Sequence, residues 1–505
     1  MRKSTKVTIL LVLVTLMLVS SLLACFAKEK VITFARPEDM QWMDPYDNQN
    51  TTNIILDYMV YDRLIDLDWS PESIGISFVP ALATEWKISP DGKEYTFKLR
   101  EGVKFHNGEP FNAECVKVSL GRFLNEKTLR RGFLWVDLKE VEVVDDYTVI
   151  VRFNNPNVIC LNSLIITPML PAEAFKEKGK ALFNNPIGTG LFTWGYWVRG
   201  QEIVVNKNPD YWGKPAYMDK FVYLPLTETS TRLAAVLTGE VDISDTMTAD
   251  QIPLAESSGN IEIISRLSWD TVYGAFQTIK PPFNDIKFRQ AMDLAIDREG
   301  IVKNVMKGGR AATGYIQKGI FGFDDSLVRA KQDIEKAKQL VKESVYDGRT
   351  IDIMVPIGWF PNEKDVAQAI QGNFKEVGIN SKLTILEGAT FAEKRAAGDY
   401  DIFLNCDGGN DVNDVFKLVI ALDVHKLGNI NPELKKLALE QSTVVDKQKR
   451  KELLRKIDNI INTDFAPIIT ICQPENIYFQ QKGIQGAKYY GDKNADFRYA
   501  HYEEW

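Results

Sequence analysis

The chain has 505 residues, 26% of them charged and 45% hydrophobic, with 68 acidic against 61 basic side chains and a formal net charge of −7. That balance belongs to globular proteins and excludes a disordered chain, a collagen-like repeat and a small disulfide scaffold. At about 100–200 residues per domain the length predicts two to four domains, and no Lys/Arg cluster marks a nucleic-acid surface.

The N-terminus is basic and then apolar: Arg2, Lys3 and Lys6 precede an apolar run from Val7 to Leu23. This reads as a secretory leader. It ends in Leu22-Leu23-Ala24-Cys25, which resembles a bacterial lipobox, so residues 1–24 are expected to be cleaved and Cys25 lipidated. The alternative is a retained anchor, for which the run is short against the ~20 residues of a membrane span. Losing the three basic residues of the leader takes the charge from −7 to −10. No other stretch reaches about 18 apolar residues, so the rest is expected to be a soluble body on an anchor. Cys115, Cys160, Cys406 and Cys472 form no CxxC pair, and buried free thiols are expected. His106, His425 and His501 are too few for a site built from several histidines.

Beyond the leader, Val31–Ala35 reads as a strand. Tyr95, Phe97 and Leu99 alternate along a second, and Val103–Phe105 followed by Asn107-Gly108 predicts a hairpin. Asn112 is a helix N-cap, followed by an apolar stripe of Val116, Leu120, Phe123 and Leu124. Val141, Val143, Val149, Val151 and Phe153 predict a hairpin turning at Asp145-Asp146. Pro186-Ile187-Gly188-Thr189-Gly190 is a turn before strands at Leu191–Trp197 and Glu202–Asn206; it has neither the third glycine of a dinucleotide fingerprint nor the Lys-Ser/Thr of a P-loop.

After about residue 280 the pattern changes. Asp285 opens a helix with Phe288, Ala291, Met292 and Ala295 on one face. Strands at Thr350–Val355, Lys382–Leu386 and Tyr400–Asn405 alternate with helices at Glu363–Val377 and Phe391–Ala397. Such a series predicts a partly parallel sheet with right-handed crossovers. A long helix spans Lys447–Ile461, and short aromatic-rich strands run from Ile468 to Tyr502. A hairpin-rich part and a wound α/β part predict two lobes with a ligand cleft between them.

Several segments occur together in a known order. They are Pro80-Ala81-Leu82-Ala83-Thr84-Glu85-Trp86, the stretch from Ser89-Pro90-Asp91-Gly92 to Phe111, and Pro186-Ile187-Gly188-Thr189-Gly190. Asn208-Pro209-Asp210-Tyr211-Trp212, Thr231-Arg232-Leu233-Ala234-Ala235, Gly239-Glu240-Val241-Asp242-Ile243 and Pro282-Phe283-Asn284-Asp285 follow. The series resembles the extracytoplasmic solute-binding proteins of family 5, the peptide/nickel type that serves ABC importers. The resemblance implies an α/β, two-lobed periplasmic-binding-protein-like fold of type II with an extra subdomain in lobe I. Lobe I would take residues 25–278 and 474–505, with the subdomain at about 76–185, and lobe II residues 279–473. Hinge crossings would lie near Phe276–Lys280 and Ile471–Glu475. It further implies a small-molecule or peptide ligand, ABC permease and ATPase partners, a lipid-anchored monomer on the extracytoplasmic membrane face, and no cofactor.

Dipeptide binders of the family hold the ligand carboxylate with an Arg after the first strand of the second lobe. The matching window Val355–Asn362 has none; Trp359 stands near the pocket instead, with a loop aromatic packed on the lobe surface as the alternative. The ligand's amino group is received in such relatives by an Asp, for which Asp407 and Asp411 are the candidates here; turn chemistry in an acidic loop is the alternative, and Asp414 fits a helix cap. His425 is the candidate metal ligand if the cargo is a nickel chelate, with a surface histidine as the alternative. Arg131, beside Arg130, is a candidate for an anionic ligand group. A surface sensor and a secreted hydrolase are the competing classes; the sequence has no GxSxG elbow and no HExxH helix.

Overall fold

The structure is a computed structural model, and it describes residues 29–47, 51–68, 77–329, 331–408, 428, 431–463, 468–491 and 494–505. The leader, Cys25, Asp411, Asp414 and His425 lie outside the described residues. Among the described residues the strands form two large sheets, one four-stranded sheet and three two-stranded ribbons.

The first large sheet runs in the order Ile261–Leu267, Glu475–Gln481, Ile243–Met247, Val31–Arg36, Lys220–Pro225, Glu202–Lys207, Phe192–Val198. Val31–Arg36 is central and parallel to both neighbours, so its Ile32, Phe34 and Ala35 are fully buried. Beside this sheet Ala83–Ile88, Glu94–Leu99, Thr148–Phe153 and Leu138–Asp145 make the antiparallel four-stranded sheet. Helix Ala113–Asn125 covers it. Asn112 caps that helix by accepting from the N–H groups of Glu114 (3.1 Å) and Cys115 (3.4 Å), and Val116, Leu120 and Phe123 point into the core.

The second large sheet runs Arg310–Ala311, Ile468–Gln473, Asp270–Phe276, Ile402–Gly408, Ile351–Pro356, Ser381–Leu386. Its last three strands are parallel, as the β-α-β-α-β series requires. Helix Glu363–Glu376 buries Val366, Ala367, Ile370 and Phe374 on one face of the sheet, and helix Gly388–Ala397 places Phe391 on the other. Apolar cover on both faces buries residues 353–356 and 402–405 without interruption, while the edge strand Ser381–Leu386 has no fully buried residue.

Two expectations are corrected. The first crossing between the sheets is at Ser268-Trp269, ahead of Phe276–Lys280, because Asp270–Phe276 pairs with Ile402–Gly408 and Ile468–Gln473 in the second sheet. The other crossing is at Pro474. Gln473 ties the two together, donating from Nε2 to the Ser268 carbonyl (2.6 Å) and the Lys318 carbonyl (3.0 Å), while the Ser268 N–H donates to the Pro474 carbonyl (2.8 Å). The hairpin at Val103–Phe105 shrinks to one bridge between Lys104 and Pro110, since Glu94–Leu99 finds its partners in Ala83–Ile88 and Thr148–Phe153.

Pro186–Gly190 has a structural role. A Cβ on Gly188 would stand 2.0 Å from the Val60 carbonyl oxygen, so only glycine allows this chain to pass against the end of helix Thr51–Val60. His106 fastens the same segment. Its Nδ1 accepts from the Gly188 N–H (3.3 Å), which leaves the proton on Nε2 to donate to the Gly190 carbonyl (3.0 Å). Burial lowers the His106 pKa and keeps the ring neutral.

Candidate functional site

Between the two large sheets lies a cavity of about 760 Å³. Lobe I supplies Arg36, Glu38, Arg232, Asp245, Thr246 and Tyr478 to its walls; lobe II supplies Ile357, Trp359, Phe360, Glu363 and Cys406. On both sides the lining begins at the carboxyl ends of parallel strands, namely Val31–Arg36 and Ile243–Met247 in one lobe and Ile351–Pro356 and Ile402–Gly408 in the other. Open α/β sheets bind ligands at those ends because neighbouring loops diverge there.

The lobe I wall is built around buried charge. Arg36 Nη1 is 3.0 Å from Asp245 Oδ2, with both side chains at most 5% exposed. Burial opposes the Arg36 charge, but Asp245 and then Tyr223 and Glu38 outweigh it, so the guanidinium is held more firmly in its charged form. Arg232 is 1% exposed and donates to the carbonyls of Leu226 (2.7 Å), Thr227 (2.8 Å) and Thr246 (3.1 Å) and to Thr229 Oγ1 (3.1 Å). Thr246 sits at φ 54°, a strained place for a β-branched residue, where the pairing of Ile243–Met247 with Glu475–Gln481 shifts register. This bulge turns the Thr246 carbonyl onto Arg232 and brings Thr246 and Met247 to the cavity.

The lobe II wall is a tight loop after Ile351–Pro356. Gly358 (φ 78°) and Asn362 (φ 56°) are left-handed, and the Gly358 N–H donates to Glu363 Oε1 (3.0 Å). That fold presents Trp359 to the cavity, with its ring 4.8 Å from Phe391 in a T-shaped contact. Arg395 has its guanidinium 5.3 Å from the centre of the Trp359 ring but is not itself part of the lining.

The residues singled out from the sequence separate as follows. Trp359 lines the cavity. Asp407 lies one residue past Cys406 on the strand; Cys406 faces the cavity, and alternation turns Asp407 to the opposite side, where its charge acts on Tyr273. Arg131 is away from the cleft, 2% exposed, with Nη2 3.5 Å from Asp57 and a hydrogen bond to the Ile166 carbonyl. The sequence reading missed Arg36, Glu38, Arg232 and Asp245. Arg232 stood inside a recognised motif, and the carboxyl end of a parallel strand is the signal that singles out Arg36 and Asp245. Among the described residues, no group of three or more His, Cys, Asp and Glu side chains stands close enough to hold a metal ion.

The family description "Bacterial extracellular solute-binding proteins, family 5 Middle" matches residues 77–422. The chain belongs to this family. It is 30% identical over 387 residues to the glutathione-binding protein GsiB of Salmonella typhi, which covers 74% of this chain and 73% of that one. HbpA2 from Haemophilus parasuis superposes with a TM-score of 0.80 at 25% identity, over 94% of this chain and 99% of the other. The dipeptide binding protein from Pseudoalteromonas sp. SM9913, in complex with Met-Leu, gives 0.81 at 23% identity, over 94% and 100%. These confirm the two-lobed fold. Family 5 proteins are extracytoplasmic, bind small molecules or peptides and work with ABC permeases; they are binding proteins rather than enzymes. No helix among the described residues is long and apolar enough to cross a membrane.

Proposed function

We propose that this chain is the substrate-capturing lipoprotein of an ABC importer, and that it holds a small peptide or related solute in the interlobe cleft. The observation that carries this reading is the cavity of about 760 Å³ walled by both lobes, whose strands cross between sheets only at Ser268-Trp269 and Pro474 among the described residues. Two adjacent crossings make a hinge, and a ligand touching both walls favours the closed state by its differential contacts. The permease then reads closure. Lipidation at Cys25 keeps the monomer on the extracytoplasmic membrane face, and no cofactor takes part.

Native mass spectrometry of the chain purified from its own host is expected to find a co-purified small molecule, and small-angle scattering a more compact particle with it than without it. Chemical conversion of the bound molecule, or an unchanged particle size, would overturn the proposal.

A further inference from the structure

The charge of the cleft says more about its ligand. Among the described residues that line it, four carboxylates, Glu38, Asp245, Glu363 and Glu475, stand against two guanidiniums, Arg36 and Arg232. Both guanidiniums are already engaged. Arg36 is paired with Asp245, and four protein oxygens take N–H groups of Arg232. On Arg36 and on Arg232 alike one buried Nε–H takes no part in these bonds. One N–H serves a carbonyl oxygen, whereas clamping a carboxylate takes two parallel donors.

The carboxylates are less fully used. The Glu38 carboxylate makes no hydrogen bond or ion pair among the described residues and is exposed to the cleft. Glu363 accepts from the Gly358 N–H through Oε1 only, and Glu475 from the Ser265 hydroxyl (2.6 Å) through Oε2 only. Among the described residues, three acidic side chains therefore offer oxygens to the cavity, while both lining guanidiniums are already engaged with protein oxygens. Trp359 adds an aromatic surface, one part of which already meets the Arg395 guanidinium 5.3 Å from the ring centre.

We infer that the cleft selects solutes in which ammonium or guanidinium groups outnumber carboxylates, and that it rejects glutathione, which at neutral pH carries more carboxylates than ammonium groups. The inference rests on the reading of the cleft as a peptide site. It separates this chain from the named ligand of the GsiB relatives with which it shares 30% identity. The physical reason is direct: a second negative charge brought into a low-dielectric cleft beside unpaired carboxylates is repelled, and a positive one is attracted.

The test is isothermal titration of the purified full chain with amidated Gly-Lys-Gly, Gly-Gln-Gly and Gly-Glu-Gly and with glutathione. At low salt the Lys peptide is expected to bind at least about tenfold more tightly than the Gln peptide, the Glu peptide more weakly still, and glutathione weakest. The ratios should shrink as salt shortens the Debye length. A combined Glu38→Gln, Glu475→Gln variant is expected to bring the Lys-to-Gln ratio within about threefold. Glutathione or the Glu peptide binding the unaltered chain as tightly as the Lys peptide would overturn the inference and leave peptide capture standing. An unchanged ratio in a folded double variant would also overturn it. Failure of all four ligands to bind would overturn peptide capture itself, and the inference with it.

Discussion

The ionisation of the buried Asp458 carboxyl should set a pH dependence on the stability of lobe II. Asp458 sits on helix Lys447–Thr463, 1% exposed, and grips the loop after Ala312 by accepting from the Tyr315 N–H at 2.6 Å. Burial pushes its carboxyl up to about 7 from 3.8, against the N–H groups of Tyr315 and Ile316 and the charge of Arg329. A carboxyl raised in the folded state binds more protons there than in the unfolded chain. Its stabilisation is therefore complete below pH ~4 and is lost as pH rises through about 7. Between about pH 5 and about pH 8 the loss is roughly 2–3 kcal/mol. At ~2–4 °C per kcal/mol this is a fall of about 5–10 °C in the melting of the lobe II transition. Asp458→Asn keeps an oxygen for the Tyr315 N–H and cannot ionise, so its melting curve should lose this part of the pH dependence. Other titrating groups act equally on both proteins. One is His106, whose lowered pKa contributes stability above its unfolded value and loses it as pH falls. The difference in melting temperature between the two proteins, recorded by calorimetry from about pH 5 to about pH 8, isolates Asp458. Parallel curves, or a variant less stable than the native chain at the alkaline end, would refute the reasoning.

Further outcomes are expected elsewhere. Alkylation followed by peptide mapping should find Cys406, half-buried at the cleft, the most reactive of the described thiols, and a bound peptide should slow its reaction; burial pushes Cys472 up to about 12 and raises Cys115 and Cys160 as well. Trp359→Ala removes the aromatic wall of lobe II and should weaken peptide binding about tenfold in the same titration, with the melting temperature nearly unchanged. Gly188→Ala forces a methyl group against the Val60 carbonyl and should cost about 1–3 kcal/mol in denaturant melts, without altering the ligand preference of the cleft.

Much of lobe II was legible because its signals are local. Val366, Ile370 and Phe374 repeat at helical spacing and are buried together, and Asp285 acts as the cap its chemistry suggests, as Asn112 does in lobe I. Trp359 lies three residues past a strand that could be read from its own residues, which placed it at the carboxyl end of that strand. Asp270–Phe276 was misassigned because a strand buried on both faces carries no mark of the sheet it joins. Asp407 shows a related limit. Its place at a strand end could be read, but which of two neighbouring residues faces the cleft depends on register, and there Cys406 takes the position.

The sequence by itself determined the class of this protein. Turn formers, caps, apolar periodicity and an ordered set of motifs are properties of short segments, and they pointed to two lobes of an extracellular solute-binding fold. The character of the cleft was decided only in three dimensions. Arg36 and Asp245 lie some two hundred residues apart and meet because Val31–Arg36 pairs in parallel with Ile243–Met247. Arg232 loses its freedom to a bulge at Thr246 that no residue pattern announces. A net charge of −7 could say that the protein is acidic. The pairing of those guanidiniums shows only in three dimensions that both basic groups of the cavity wall are engaged, because a buried charge has to be satisfied by a partner the fold provides.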